Sequence, residues 1–227
     1  MKFKKIGVVI ADDMEFAPLL ESVKNLNPAR GEINSFESVC FSYEGKDVTA
    51  VKCGVGKVNA AAATAFLIEK EKPGCVLNIG LSGGVKGVNR GTVFAGTSFR
   101  ECDFDLSALG YEKGVKPGQD YVYEADKGLL EKIPQELGIR HLKCGTGDFF
   151  ITKDSVKEEF YTLFGINTFD METGAIAGVC HRCSVPFLSI RKISDDSEDS
   201  AAEDYRQMNN LAETALSDIL LKVIANL

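Results

Sequence analysis

Two apolar segments constrain the fold of this chain more strongly than any other feature. Residues 5–11 and 74–79 are apolar almost throughout and rich in β-branched side chains, and each has the length of a strand. A strand that is apolar on both faces belongs to a sheet that is covered on both sides. Segments with helical periodicity separate the strands along the chain. We therefore predict an α/β fold of three layers, α/β/α, with a central mixed twisted sheet.

Periodicity and turn residues predict the remaining secondary structure. A helix is expected at 12–23, capped by Asp12 or Asp13, and a hairpin at 37–43 and 47–53. The strand at 74–79 is expected to end at the glycine-rich segment 80–84. Further helices are predicted at 57–69, 125–137, 153–163, 173–182 and 204–227, and further strands at 91–99, 140–145, 166–169 and 186–193.

Size and charge exclude several classes of protein. The 227 residues contain no repeat and no Pro- or Ser-rich linker, which favours one domain over residues 1–227. The net charge is −7 and there is no basic stripe, so no nucleic-acid partner is expected. No apolar run reaches about 18 residues, the length of a membrane-spanning helix. The apolar run that follows the basic residues 1–5 is too short for a signal peptide, so we expect a cytoplasmic protein with no membrane partner. The seven cysteines are expected to be reduced and mostly buried.

Strand ends indicate where a ligand binds, because open α/β sheets hold ligands at the carboxyl ends of their strands. This rule selects residues 12–15, residues 80–84, and Ser194-Asp195. The glycines of 80–84 let a ligand approach the backbone and offer amide donors. The segment 54–57 (Gly-Val-Gly-Lys) lacks the remaining residues of a Walker loop and of the dinucleotide fingerprint. It is predicted to be a tight turn, either purely structural or lining a pocket.

Two other groups of residues carry weaker signals. Asp12-Asp13 resembles the acidic pair of a receiver domain, but residues 50–53 provide no aspartate to accept a phosphoryl group. The segment 180–183 (Cys-His-Arg-Cys) has metal-ligand types without a second Cys/His cluster, and a structural zinc ion needs four ligands. We expect no metal and no cofactor. The acidic run 195–204 is interpreted as a solvated loop, apart from Asp195 at its strand end.

Three carboxylates are predicted to lie at pocket positions, namely Glu15, Glu172 and Asp195. The aromatic residues of segment 149–151 (Phe-Phe-Ile) offer a face for a flat ring. The chain has only two histidines, and neither pairs with a serine or cysteine in a recognisable pattern. Acid–base chemistry on carboxylates is therefore favoured over covalent catalysis.

Seven short segments, each weak alone, share the order and spacing of one enzyme family. They are 6–15 (IGVVIADDME), 53–58 (CGVGKV), 78–84 (NIGLSGG), 105–111 (DLSALGY), 146–151 (TGDFFI), 170–172 (DME) and 193–195 (ISD). They resemble the bacterial 5′-methylthioadenosine/S-adenosylhomocysteine nucleosidases of the purine nucleoside phosphorylase-like superfamily, over nearly the whole chain. The resemblance implies a homodimeric enzyme that hydrolyses the N-glycosidic bond of a 5′-substituted adenosine and releases adenine and a 5-substituted ribose.

The resemblance also implies catalytic roles. Glu15 would activate the attacking water, and Asp195, steadied by Ser194, would protonate the purine at N7. Glu172 would bind the ribose hydroxyls, with Met171 packed on the sugar. These roles match the two-carboxylate logic of inverting glycoside hydrolysis.

The remaining implied contacts surround the base and the 5′-substituent. The purine would stack on Phe150 and meet the backbone of Ile151. The dimer partner would complete the 5′-substituent pocket through the loop that holds Pro117. The other implied substrate contacts are Val55, Gly83 and Leu109.

The identity of the nucleophile follows from the first loop. Related phosphorylases carry phosphate-binding arginines, and this chain has Asn78 at one such position and an acidic loop, 12–15, at another. An acidic loop repels phosphate, so water is the expected nucleophile. Three alternatives stay open: another purine nucleosidase such as a futalosine hydrolase, a phosphate-dependent nucleoside phosphorylase, and a non-enzymatic nucleoside-binding module on the same scaffold.

Overall fold

The computed structural model describes residues 3–195 and 216–227, and for Asp195 the backbone alone. The described strands are β1 (Lys5–Ile10), β2 (Ala29–Ile33), β3 (Phe36–Tyr43), β4 (Lys46–Lys52), β5 (Cys75–Gly84), β6 (Val93–Glu101), β7 (Val122–Glu124), β8 (Arg140–Thr146), β9 (Thr168–Asp170) and β10 (Phe187–Asp195). The described helices are α1 (Asp13–Val23), α2 (Lys57–Glu71), α3 (Lys127–Leu130), α4 (Asp154–Phe164), α5 (Thr173–Arg182) and α6 (Leu216–Asn226).

The strands form one mixed sheet that partly closes on itself. Strand β10 pairs in parallel with β5 and antiparallel with β6, and the succession β6, β8, β9, β5 completes a ring. Four further strands extend from β5 in the order β1, β4, β3, β2, and the short strand β7 pairs with β6. The predicted α/β class with a mixed sheet is confirmed, and the closure through β10 is a feature that apolar patterning does not reveal.

The core lies between this sheet and two pairs of helices. Every residue of β1 after Lys5 is buried, as expected for a strand covered on both faces. Helix α1 packs against α6, and α2 packs against α5. On α6 the apolar residues Ile219, Leu220, Val223 and Ile224 are buried, as its period of about 3.6 residues requires.

The start of α1 matters for the site. The Asp12 carboxylate accepts a 3.0 Å hydrogen bond from the Glu15 amide, which confirms the predicted N-cap. Because the cap fixes the first helical turn directly after β1, Glu15 is held at the end of the sheet rather than out in solvent.

Several expectations about secondary structure were wrong. The predicted helix at 125–137 is a single turn, α3, followed by a 3₁₀ turn at Gln135–Leu137. Pro134 stands between them, and proline disfavours helical geometry in the residue before it. Strand β5 does not end at Ile79 but runs on to Gly84, because its glycine-rich end pairs with β10 and β9.

Other differences are smaller. The short strands β2 and β7 have no counterpart in the predicted set. Cys40 and Cys183 are exposed, and the other five cysteines are buried and free, in line with the expectation for most of them. The C-terminal helix, predicted at 204–227, is confirmed for Leu216–Asn226; Leu227 follows its end, and residues 204–215 lie outside the described residues. Among the described helices none is long and apolar enough to cross a membrane.

Candidate active site

A cavity of about 390 Å³ opens where the strands of the ring and β1 end. Parallel pairing of β1, β5 and β10 brings these carboxyl ends together, so residues far apart in sequence share one wall. Eight of the residues to which the resemblance gives a role line the cavity: Glu15, Val55, Gly83, Phe150, Ile151, Met171, Glu172 and Ser194.

Glu15 is held by backbone amides at the floor of the cavity. Its Oε1 accepts a 2.7 Å hydrogen bond from the Leu81 amide, and its Oε2 accepts one of 3.2 Å from the Ala11 amide. Burial raises the pKa of Glu15 to about 7, and the positive charge of Arg191 opposes this effect. A carboxyl group with a pKa near neutrality suits a general base, because it exchanges a proton readily at working pH.

Glycine at position 80 makes room for this carboxylate. A Cβ atom built on Gly80 would lie 2.7 Å from Glu15 Oε1, closer than non-bonded atoms approach. Glycine is therefore needed at position 80 because β5 packs closely against Glu15, and not because the backbone adopts an unusual φ angle.

Glu172 lies across the cavity, at the N-terminus of α5. Its Oε1 accepts a 3.1 Å hydrogen bond from the Gly56 amide, and its side chain is almost completely buried. Burial raises its pKa, and Arg191 acts in the opposite direction. Gly56 has a φ of 96°, a conformation that favours glycine, and so its amide can point at the carboxylate.

Asp170 stabilises the turn that presents Glu172. Its Oδ1 accepts hydrogen bonds from the amides of Glu172 (2.9 Å) and Thr173 (2.7 Å). The Thr146 hydroxyl donates to the same oxygen at 3.1 Å and accepts from the Gly174 amide at 2.8 Å. The strand-to-helix turn is therefore fixed by side chains on two neighbouring strands, β8 and β9.

Arg191 is a buried cation of the site. Its guanidinium lies 3.6 Å from Glu172 Oε2 and 3.8 Å from Asp170 Oδ2. Burial would lower its pKa, but the carboxylates of Asp170, Glu15 and Glu172 outweigh burial and raise it, so the group is charged.

Neutral acceptors complete the environment of this guanidinium. It donates to the Ser82 hydroxyl (2.8 Å), to Asn78 Oδ1 (2.9 Å) and to the Thr173 hydroxyl (3.0 Å), and also to the Leu81 carbonyl. Asn78 Oδ1 in turn accepts a 2.7 Å hydrogen bond from the Ser189 hydroxyl. The position is rigid, because charge and hydrogen-bond partners on three elements determine it.

A second ionic cluster supports the Gly56 turn from outside the cavity. Lys57 Nζ lies 2.6 Å from Asp103 Oδ1 and 3.0 Å from Glu101 Oε2. The other oxygen of Asp103 accepts from the Asp148 amide at 2.9 Å, and Asp148 Oδ1 accepts from the Lys57 amide at 2.8 Å. These contacts tie the start of α2 to the ends of β6 and β8. The turn is thus more than a structural connection, since its amide contacts Glu172 and Val55 lines the cavity.

Ser194 and Asp195 lie beside the glycines of β5. The Ser194 hydroxyl donates a 3.2 Å hydrogen bond to the Ser82 carbonyl, and the residue lines the cavity. The backbone of Asp195 pairs with Gly83, which also lines the cavity. The Asp195 side chain lies outside the described part of the chain, so its acid role stays a prediction.

Two implied contacts do not line the cavity of one protomer. Leu109 is 70% exposed, in the 3₁₀ turn Ser107–Leu109, and Pro117 is exposed in the loop that follows. Phe150 lines the cavity and is 44% exposed, whereas Ile151 is buried there. The exposed positions of Leu109 and Pro117 are compatible with a site that a second chain completes, and this too stays a prediction.

The described residues, 3–194 and 216–227, contain no cluster of three or more His, Cys, Asp or Glu side chains suited to a metal ion. Within segment 180–183, Cys180 is buried and Cys183 is exposed. The cavity instead offers a buried base, further carboxylates and the cations of Arg191 and Lys157, a set suited to acid–base chemistry on a polar organic ligand.

Comparison with known proteins identifies the family. The sequence model of the phosphorylase superfamily matches residues 5–225. The 5′-methylthioadenosine/S-adenosylhomocysteine nucleosidase of Haemophilus influenzae (strain PittGG) is 35% identical over 236 residues, covering 98% of this chain and 100% of the relative. The chain belongs to this nucleosidase family. The family assignment confirms the resemblance inferred from the seven sequence segments.

Further members of the nucleosidase family agree in sequence and structure. The nucleosidase of Bacillus subtilis (strain 168) is 34% identical over 235 residues, with coverage of 99% of this chain and 98% of the relative. The crystal structure of the Neisseria meningitidis nucleosidase in complex with methylthio-immucillin-A matches with a TM-score of 0.89 at 27% identity, covering 99% of this chain and 100% of that one.

Sequence reasoning missed part of this nucleosidase site. Arg191 was not selected from the sequence, yet its guanidinium lies beside the carboxylates of Asp170 and Glu172. The available signal was an arginine inside a strand predicted to be buried, because a buried charge requires partners. Asp170, Lys57 and Lys157 were also not selected, although Asp170 and Lys157 line the cavity.

Proposed function

We propose that this protein hydrolyses the N-glycosidic bond of a 5′-substituted adenosine, such as 5′-methylthioadenosine or S-adenosylhomocysteine. The products are adenine and a 5-substituted ribose. The observation that carries the proposal is the convergence of Glu15 and Glu172, 157 positions apart in sequence, on one buried cavity with Arg191 between strand ends. The family membership supports the choice of substrate, because the relatives bear the name of this activity.

The geometry suits a displacement by water. A water oxygen attacks C1′ from the face opposite the base and gives a proton to Glu15, while the C1′–N9 electron pair leaves with the purine. Asp195 supplies a proton to N7, so that the base departs neutral. Glu172 binds the ribose hydroxyls, and the positive charge that develops on the sugar is favoured by the surrounding carboxylates.

The charges of the cavity favour water over phosphate. Arg191 could attract an anion, but its donors already serve Ser82, Asn78 and other acceptors. Three carboxylates outnumber it, because Asp170, Glu172 and Glu15 all interact with its charge. Asn78, at a position where phosphorylases carry arginine, donates to the Val9 carbonyl at 2.9 Å and so is fixed within the sheet.

The decisive experiment is an assay without phosphate. Purified protein is incubated with 5′-methylthioadenosine, and free adenine is measured with and without added phosphate. Release of adenine in both conditions supports hydrolysis. A requirement for phosphate would show a phosphorylase, and binding without release would show a sensory module.

Variants test the assigned roles. Glu15→Gln and Asp195→Asn should each lower turnover by about 10² to 10⁴-fold, since each removes one proton-transfer group. Asp13→Asn is the matched control, because Asp13 lies in the same helical turn but its side chain is 85% exposed and pairs with Lys52. Turnover close to wild type in Glu15→Gln would remove Glu15 from the mechanism.

The proposal includes a homodimer in the cytoplasm. Leu109 and Val58 are 70% and 79% exposed, and such apolar side chains mark protein interfaces when they cluster. In the proposed dimer the loop with Pro117 reaches the partner's cavity. Light scattering on the purified protein should give twice the chain mass, and Leu109→Asp should lower that mass and weaken substrate binding together.

A further inference from the structure

The buried hydroxyl groups around Arg191 pass their hydrogens on to protein acceptors. Thr173 donates from its hydroxyl to Asp170 Oδ2 at 2.6 Å, and Ser189 donates to Asn78 Oδ1 at 2.7 Å. Thr173 also accepts from the guanidinium at 3.0 Å, so its hydroxyl acts as donor and acceptor together. Such complete pairing is what burial of polar groups requires.

Ser82 departs from this pattern. Its Oγ accepts a 2.8 Å hydrogen bond from Arg191 Nε, and the residue is 3% exposed and lines the cavity. In the part of the chain that the structure describes, no acceptor receives its hydroxyl hydrogen. A hydroxyl always carries one donor, and a buried donor without an acceptor is costly. Because Ser82 lines the cavity, we expect the acceptor to belong to a molecule bound there.

The alternation of side chains along β5 places Ser82 next to Glu15. Asn78 and Ser82 both accept from the Arg191 guanidinium, so every second residue of this part of β5 faces the same side. Gly80 lies between them, and a Cβ built on it would be 2.7 Å from Glu15 Oε1. Ser82 is therefore the next side chain on the face of the strand that packs against the proposed base.

This spacing suits one bridging oxygen. Side chains two positions apart on a strand start about 6.6 Å from each other, which is too far for a direct hydrogen bond. Two hydrogen bonds of about 2.8 Å through one oxygen span up to roughly 5.6 Å, a distance that the Ser82 hydroxyl can close by its own length. The bridging group must accept from Ser82 and donate to the carboxylate of Glu15, and a water molecule does both.

We infer that Ser82 binds the water that attacks C1′. This inference rests on the proposed function, in which Glu15 activates that water. The Ser82 hydroxyl donates to the water oxygen, and the water donates one hydrogen to Glu15, which leaves a lone pair of the oxygen directed at the sugar. As the O–C1′ bond forms, the C1′–N9 electron pair leaves with the purine and the water proton passes to Glu15. Ser82 keeps its own hydrogen, so it orients the water and transfers no proton.

Arg191 makes Ser82 a better donor for this purpose. A hydroxyl that accepts a hydrogen bond is polarised, and its own O–H donates more strongly. The guanidinium that accomplishes this is charged and nearly inaccessible to solvent, with 2% of its side chain exposed. Ser82 therefore links the buried cation to the reacting water without placing the cation itself against the substrate.

The kinetic test is Ser82→Ala, which removes only the hydroxyl. Arg191 Nε keeps the Leu81 carbonyl as an acceptor at 3.1 Å, so the substitution does not leave it unpaired. We expect kcat to fall about tenfold, the effect of one hydrogen bond, while KM changes less than twofold because the nucleoside itself loses no contact. Ser38→Ala is the matched control, since Ser38 is 4% exposed on β3, outside the described cavity lining, and its loss should leave kcat unchanged.

A crystal structure with adenine bound separates this inference from the proposed function. We expect an ordered water within about 3.2 Å of both Ser82 Oγ and the Glu15 carboxylate in the wild type, and none in Ser82→Ala. Absence of this water from the wild type would overturn the inference even if Ser82→Ala does not fold. Failure of the wild type to hydrolyse 5′-methylthioadenosine would refute the proposed function, while the position of the water still tests Ser82.

The kinetic outcomes are equally distinct. Unchanged kcat in Ser82→Ala, or the same fall in Ser38→Ala, would overturn the inference. A higher KM at constant kcat would do so too, because it would show that the hydroxyl binds the substrate rather than the water.

Discussion

The Arg191 guanidinium lies 3.6 Å from Glu172 Oε2, and both side chains are almost completely buried. A buried ion pair of this kind is held by its surroundings, since its attraction only offsets the cost of removing two charges from water. Here Asp170 and Glu15 add further negative charge around the same guanidinium. Arg191 therefore allows several carboxylates to share one cavity.

Removal of Arg191 should destabilise the protein severely. Arg191→Met leaves the carboxylates of Asp170 and Glu172 without their cation, and we expect a loss of about 3–5 kcal/mol in the free energy of unfolding. Urea unfolding at pH 7 measures this change. Arg182→Met is the control, because Arg182 bonds to Gln119 at an exposed position and its loss should cost less than about 0.5 kcal/mol. A loss below about 1 kcal/mol for Arg191→Met would contradict the electrostatic role described above.

Replacement of Gly80 should impair the site without unfolding the chain. A Cβ in Gly80→Ala would meet Glu15 Oε1 at 2.7 Å, and the flexible end of the carboxylate must move away. We expect kcat to fall by about 10²-fold, the effect of misplacing a reacting group by about 1 Å. Gly31→Ala is the comparison, since its Cβ would meet only Ser38 Oγ at 3.8 Å. Circular dichroism should show both variants folded, and full activity of Gly80→Ala would mean that Glu15 tolerates displacement.

The parts of the site that could be predicted are those that follow directly from local sequence. Glu15 and Glu172 each stand just after a strand, so the rule about carboxyl strand ends is enough to select them. That rule does not select Arg191, because this residue lies within β10. Its role in the site depends on three other elements that the folded chain brings around its guanidinium. The role of Lys57 likewise depends on distant residues, since its partners Glu101 and Asp103 lie more than 40 positions away in sequence.

The fold shows the same division between local and non-local information. Apolar runs and caps identify β1 and α1, whereas the extension of β5 to Gly84 depends on pairing with β9 and β10. The helix predicted at 125–137 is too long, because the prediction followed the apolar periodicity and gave too little weight to Pro134, which disfavours a continuous helix. Contacts that require distant strands cannot be read from one segment alone.

Activity should depend on pH through Glu15. The base must be ionised to accept a proton from water, and burial raises its pKa to about 7. We expect kcat/KM to rise with pH through a midpoint of about 7 and to fall tenfold for each pH unit well below it. Adenine release at saturating and limiting substrate across pH 5 to 9 measures the profile. An acid limb with its midpoint near 4.5, the ordinary value for glutamate, would mean that the carboxylate is not desolvated in solution.

Stability should show the opposite dependence on pH. Glu15 has a pKa of 4.5 in the unfolded chain and about 7 in the folded one, so the native state binds an extra proton between these values. Stability therefore falls as pH rises from about 4.5 to 7, by up to about 3 kcal/mol at 1.36 kcal/mol per pKa unit. Glu15→Gln is neutral and avoids this loss, so it should be more stable than the wild type at pH 8 and similar to it at pH 4. Urea unfolding of wild type, Glu15→Gln and the exposed control Asp13→Asn at both pH values decides the matter. The contrary result would be a wild type that becomes more stable than Glu15→Gln as pH rises. The folded protein would then favour the ionised carboxylate, and burying this base would carry no cost in the free energy of unfolding.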